Sequence, residues 1–213
     1  MDMEALAEAE PDVIFIGGRL SEQYEALSRI APVILVALDT KTDTFLGSLE
    51  SNLNMFAEIF DAGDAVADYV ADFTERVEAL QKATAGETCL ITMVSSGSVS
   101  VVGNNGRGTL IDTQINIENV AGEVGDTHGD SASFELLLDK NPDWIFAIDR
   151  DSAIGSEGAK AAKEILENEI VRGTDAHKNN RIVYLIADAW YLASGGIEAT
   201  DIMLSDLEKG ILK

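Results

Sequence analysis

PDWIFAIDR (residues 142–150) repeats, offset by 131 positions, the stretch PDVIFIGGR (residues 11–19). The likeness begins further upstream, because Glu4 and Glu135, and Leu6 and Leu137, also stand at matching offsets. Each unit reads as the end of a helix, a Pro-Asp step, a short buried strand, and an arginine where the strand runs out. A strand covered on both faces is a continuous apolar run, as in parallel sheets, and the Ile-Phe pairs fit that pattern. Two copies predict two similar α/β units. Each unit carries one arginine, Arg19 or Arg150, beyond the carboxyl end of a strand, where open parallel sheets hold their ligands. Guanidinium is a permanently charged, planar fork of donors, so two of them facing a cleft suit an anionic ligand.

Outward from the first unit, Tyr24, Leu27 and Ile30 have helical spacing, and Pro32 precedes a second apolar strand, VILVAL (33–38). A right-handed βαβ crossover follows. Phe45, Leu49, Leu53 and Phe56 then line one face of a helix. From about 64 to 83, Val66, Tyr69, Phe73, Val77 and Leu80 recur every three or four residues without an intervening Gly or Pro. A helix of about twenty residues spans roughly 30 Å, the width of a small domain. It reads as a rigid spacer, since a flexible hinge would be rich in Gly, Ser or Pro. Beyond it come CLITMV and SVSVVG around a Ser-Ser-Gly turn, the GNNGRG loop, a helical TLIDTQI and a loop over 119–131. After the second repeat unit a helix over 157–167, the strand RIVYLI, a loop around AWYLASGG and a final helix over 197–207 complete the α/β pattern. The expected division is 1–60, 61–84 for the connecting helix, and 85–213.

The chain has 213 residues, 38 acidic against 15 basic, for a formal charge of −23. Such a balance argues against nucleic acid, whose phosphates need clustered Lys and Arg. The seven arginines are scarce in that background, and Arg19, Arg107 and Arg150 all sit beside Gly, Asn or Asp in loop-like sequence. A single cysteine, Cys89, permits neither an internal disulfide nor a thiolate metal cluster, and inside CLITMV it reads as a buried strand residue. No stretch approaches the roughly 20 apolar residues of a membrane helix, and the acidic start MDMEALAEAE lacks the pattern of a secretory signal.

His128 lies in the polar loop DTHGDS between Asp126 and Asp130, and Tyr191 follows the strand RIVYLI in AWYLASGG, where an exposed aromatic either faces a ligand or packs on a helix. GNNGRG lacks the lysine and hydroxyl of a phosphate-binding loop, and neither GxGxxG nor GxSxG occurs. HExxH is absent too, and acidic residues are too numerous for any pair to stand out as a dyad. Nothing argues for an enzyme.

The string PDVIFIGGR…YEALSRIAPVILVALDT, the GNNGRG loop, THGDSASFELLLDKNPDWIFAIDRDSAIG and RIVYLIADAWYLASGG resembles the substrate-binding proteins of ABC transporters for iron siderophores. The likeness is strongest to the catecholate binders of the petrobactin and enterobactin type, and it covers essentially the whole chain. It implies two Rossmann-like lobes joined by a single long helix, the class III periplasmic-binding-protein type, with the ligand in the cleft between them. It also implies that Arg19, Arg107 and Arg150 form a basic floor for a ferric catecholate. His128 and Tyr191 would reach iron directly where the siderophore leaves coordination sites open, and both are sensible donors for a hard ferric ion. Glu4 and Glu135 would dock the two lobes on a membrane permease.

The implied location is periplasmic or cell-surface-anchored, with no intrinsic cofactor and ferric iron carried as the siderophore complex. The family has more N-terminal lobe than residues 1–60 supply, so the resemblance implies a truncated lobe. Its exposed sheet edge would invite a second copy, giving a homo-oligomer. Two alternatives stay open: haem or corrinoid binding on the same fold, or an α/β domain that oligomerises without transporting.

Overall fold

A computed structural model describes residues 1–38, 44–103, 107–122, 130–193 and 195–212; the side chains of Arg19 and of residues 130–132 are outside the description. The chain opens with α1 (Met3–Glu8), capped by the Asp2 carboxylate, which accepts from the Glu4 and Ala5 amides at 3.1 Å. Glu10 then adopts a left-handed φ of 45°, the chain turns at Pro11, and β1 (Ile14–Ile16) follows. A 3₁₀ turn (Gly18–Gln23) and α2 (Tyr24–Leu27) lead to β2 (Val33–Leu35), parallel to β1 with Ile14 opposite Val33. Ile14, Ile16, Leu27 and Ala31 form a small core of their own. The crossover expected from the sequence is present, although β2 is shorter than the apolar run 33–38.

α3 (Phe45–Phe60) begins at Thr44, whose Oγ1 accepts from the Gly47 amide, and ends at Asp61 in the left-handed region. α4 (Gly63–Ala83) is the predicted long helix, 21 residues without interruption. Its buried stripe of Val66, Phe73, Val77 and Leu80 shares one apolar core with Phe45, Leu49 and Leu53 of α3 and with the large sheet that follows. Phe45 and Phe73 stack with ring centroids 6.2 Å apart.

The second unit starts with β3 (Thr88–Ser95). Ser96 (φ 51°) and Gly97 (φ 75°) turn the chain into the antiparallel β4 (Ser98–Val102). Two consecutive positive φ values are the signature of a tight hairpin turn matched to strand twist. A π-helical turn (Leu110–Ile115), β5 (Glu118–Asn119) and β6 (Asp130–Ala132) come next, so the described ends of the loop expected over 119–131 are short strands. α5 (Phe134–Lys140), β7 (Trp144–Asp149) and α6 (Arg150–Ala153) make up the second repeat unit. Asn141, at the position equivalent to Glu10, takes nearly the same φ, 41°. The two units therefore share a backbone kink as well as a sequence.

α7 (Ala162–Leu166) is shorter than the helix expected over 157–167. Gly158 at φ 75° breaks the earlier part, and the Asp149 carboxylate fixes the start by accepting from the Ala162 amide at 2.8 Å. α8 (Asp175–Lys178), β8 (Ile182–Leu185), a π-helical turn (Asp188–Leu192) and α9 (Ile197–Ile211) close the chain. The sheet order is β6-β4-β3-β7-β8, with β5 beside β3. β3, β7 and β8 are parallel, and β4 and β6 form an antiparallel edge. Alternation along β7 sends Phe146 and Ile148 to the α3, α4 and α9 side, and Ile145 and Ala147 to the side of Leu137, Leu166 and Val171.

Two polar clusters brace this unit. Arg76 of α4 donates Nε and Nη2 to the Glu208 carboxylate of α9 (2.7 and 3.0 Å) and Nη1 to Asp201 (2.6 Å). At the amino end of the sheet, Glu87 accepts from Trp144 Nε1 (2.5 Å) and Arg181 Nη1 (2.8 Å), while Arg181 lies 4.9 Å above the Trp144 ring.

Candidate functional site

The opposite, carboxyl end of the sheet gathers Arg107, Arg150 and Tyr191. Arg150 follows β7 directly as the first residue of α6, a turn fixed by Asp149, whose side chain accepts from the Ser152 amide (2.9 Å). Its Nε donates to the Tyr191 hydroxyl at 2.9 Å and its Nη1 to Ser95 Oγ at 3.1 Å. Arg107 reaches the same tyrosine. Its Nε donates to the Tyr191 carbonyl (3.1 Å), and its guanidinium carbon lies 4.0 Å from the centre of the Tyr191 ring. A cation over an aromatic face is attracted by the ring's quadrupole. Gly108 lets the chain leave Arg107 closely packed on β3, since a Cβ there would collide with Ile91 Cδ1.

Tyr191 is a buried residue, 8 % exposed, on the turn Asp188–Leu192, so that of the two readings open from the sequence, facing a ligand or packing, its ring takes the packed one. Its neighbour Trp190 is fully buried and explains why: Trp190 Nε1 donates to Asp206 Oδ2 (3.0 Å), which also accepts from the Ile186 amide (2.7 Å). That carboxylate of α9 ties down both ends of the segment that presents Tyr191. Burial pushes the Asp206 carboxyl above its ordinary range, and the bonds from Ile186 and Trp190 offset part of the rise.

Asp151 completes the surroundings of Arg150. It is 4 % exposed, accepts from Ser95 Oγ (3.1 Å) and the Ser96 amide (2.5 Å), and lies 3.8 Å from Arg150 Nη1. Neither Ser95 nor Asp151 is marked by sequence reasoning. Ser95 reads only as part of the turn between two strands, and one more aspartate among 38 acids carries no signal. On the turn Leu110–Ile115, Asp112 is buried with no hydrogen-bond partner for Oδ2 among the described residues, and burial raises its carboxyl to about 6. Cys89 is buried as expected, which pushes its thiol up.

Of the other expected residues, Arg19 has its backbone in the 3₁₀ turn after β1, but its side chain is outside the description, and His128 lies outside the described residues altogether. Glu4 and Glu135 are exposed in the first turns of α1 and α5. Among the described residues, no group of three His, Cys, Asp or Glu forms a metal-ligand cluster, and no helix is long and apolar enough to cross a membrane.

A family model described as periplasmic binding protein matches residues 1–189. The petrobactin-binding protein YclQ of Bacillus subtilis (strain 168) is 33 % identical over 215 residues, covering 100 % of this chain and 67 % of that protein. Its crystal structure is similar with a TM-score of 0.90, over 100 % of this chain and 74 % of the other at 32 % identity. The ferric-anguibactin-binding protein FatB of Vibrio anguillarum is 28 % identical, over 98 % of this chain and 66 % of its own length. The periplasmic catecholate-siderophore binding protein VctP of Vibrio cholerae has a TM-score of 0.91 at 28 % identity, over 98 % of this chain and 75 % of that one. The chain thus spans about two thirds of the length of these curated relatives. The class III fold expected from the sequence is the fold it shares with them. Matched over residues 1–189, the chain belongs to the periplasmic binding protein family.

Proposed function

We propose that the chain is the substrate-binding component of an ABC-type iron importer and captures a ferric catecholate-type siderophore at the carboxyl end of the sheet. The observation that carries this reading is the pair of guanidiniums, Arg107 and Arg150, both held on one buried tyrosine. Such an arrangement offers concentrated positive charge within a molecule of formal charge −23. A ferric catecholate complex is a compact polyanion, and charge-assisted bonds from two fixed forks would hold it. The names of the similar proteins support the same ligand class, petrobactin for YclQ and catecholate siderophores for VctP.

In this reading residues 1–60 belong to one lobe, 61–84 to the connecting helix and 85–213 to the other lobe. Arg19 and His128 complete the ligand shell, with His128 and Tyr191 reaching iron where the siderophore leaves sites open. Glu4 and Glu135 face the permease, and the protein works outside the cytoplasm, in the periplasm or anchored at the cell surface. It binds and delivers its ligand without transforming it.

The test is a titration with ferric petrobactin, haem and cobalamin, followed by the fluorescence of Trp144 and Trp190, the second of which adjoins Tyr191. Saturable quenching by the ferric siderophore is expected. Arg107→Ala and Arg150→Ala should each cost roughly 1.5–3 kcal/mol, about 10- to 150-fold in affinity. A response to cobalamin or haem with none to the siderophore would overturn the ligand class, and no loss in either variant would overturn the site.

A further inference from the structure

Arg150 is held by groups that sequence motifs do not point to, and their hydrogen-bond polarity has only one solution. A guanidinium can only donate, a carboxylate can only accept, and a serine hydroxyl has a single hydrogen to give. Ser95 Oγ lies 3.1 Å from Arg150 Nη1 and 3.1 Å from Asp151 Oδ1. Its hydrogen is therefore committed to Asp151 and a lone pair to Arg150. The relay runs from Arg150 through Ser95 to Asp151.

The far end of that relay is anchored in backbone. The other Asp151 oxygen accepts from the Ser96 amide, inside the hairpin turn where Ser96 and Gly97 both take positive φ. Asp151 is nearly solvent-free at 4 % exposure, and Ser95 is the last residue of β3, in register with the sheet. From the opposite side the Tyr191 hydroxyl accepts Nε. The guanidinium plane is fixed through Nε and Nη1, and among the described residues no partner takes Nη2. The two N–H groups of Nη2 can therefore meet an incoming anion.

We propose that Ser95 and Asp151 are positioning residues, which fix the Arg150 fork in its ligand-ready orientation before the ligand arrives. The proposal rests on the reading of Arg150 as a ligand-binding residue. Preorganisation of this kind strengthens binding because the ordering cost is met during folding. Asp151 has a second effect: its carboxylate, 3.8 Å from Nη1, balances the Arg150 charge from behind while the cleft is empty.

The experiment is a double-mutant cycle on the whole chain, with ferric petrobactin as the probe and thermal midpoints recorded to confirm folding. Ser95→Ala is expected to weaken binding roughly three- to tenfold. Ser95→Thr keeps the hydroxyl and should stay within about twofold of the parent. In an Arg150→Ala background the Ser95→Ala effect should vanish, because a residue acting only through Arg150 has nothing left to act on. Asp151→Asn repeats the cycle from the far end of the relay. An equal loss from Ser95→Ala in both backgrounds would mean a general structural role and overturn the proposal. So would full affinity in Ser95→Ala while Arg150→Ala binds weakly. Unchanged affinity in Arg150→Ala is a different result: it removes the site reading itself, and the proposal with it.

Discussion

Tyr191→Phe separates the two things that Tyr191 does. It deletes the hydroxyl that accepts from Arg150 Nε at 2.9 Å and leaves the ring face, 4.0 Å from the Arg107 guanidinium. A hydrogen bond to a charged group is worth about 1.5–3 kcal/mol when well shielded. The Arg150 side chain is 35 % exposed, so water recovers part of the lost bond, and roughly 1–2 kcal/mol is expected. In a protein of this size each kcal/mol moves the melting temperature by about 2–4 °C, which predicts a fall of about 2–8 °C. Tyr191→Leu should lose more, since the cation–ring attraction of about 0.5–2 kcal/mol goes too. Thermal unfolding of the unliganded protein by circular dichroism is the assay, with Arg150→Ala and the Tyr191→Phe/Arg150→Ala double variant alongside. If the bond operates, the double variant melts close to Arg150→Ala alone. A Tyr191→Phe midpoint within about 1 °C of the parent would refute the reasoning.

Arg76→Met should destabilise by about 1.5–3 kcal/mol in urea unfolding, because Glu208 and Asp201 lose their shared partner, and the loss should shrink in high salt. Asp112 predicts a pH dependence of opposite sign to a salt-bridged carboxylate. Its folded pKa, about 6, lies above the unfolded value, so the native state binds the extra proton, and stability falls as pH rises from about 4 to about 6. Asp112→Asn should flatten that part of the urea-midpoint profile and raise stability at pH 7; an unchanged profile would refute the assignment.

The two parallel-strand units and the long helix were legible because they rest on periodicity: two apolar runs behind Pro-Asp and one stripe from Val66 to Leu80. Arg150 was marked by the repeat, Arg107 by being one of three scarce arginines in loop-like sequence and Tyr191 by its place after a strand, and the resemblance to a family then gave each a role. The direction of SVSVV was legible as well, since the Ser-Ser-Gly turn before it is too short for a parallel crossover, and it is found as the return arm of a hairpin. The helix at 188–192 was hidden because its stability comes from Trp190 reaching Asp206, a contact between separate elements that no local propensity records. Ser95 and Asp151 escaped for a related reason. Their significance is a single hydroxyl's orientation across 56 positions of sequence, and spacing arguments see only neighbours.

The small cluster of positive charge sits inside a chain of formal charge −23, and this sets its kinetics apart from its affinity. Once it comes within about a Debye length of the surface, about 8 Å at physiological ionic strength, an approaching polyanion is repelled by the net charge of the whole molecule. Only within the last few ångströms do Arg107 and Arg150 dominate. Added salt therefore lowers the outer barrier and quickens capture, while it also weakens the grip once the anion is seated. Encounter and residence respond to ionic strength in the same direction as rates and in opposite directions as contributions to affinity, so equilibrium binding varies less with salt than either step. A receptor built this way keeps its hold on ligand steady as the salinity around it changes.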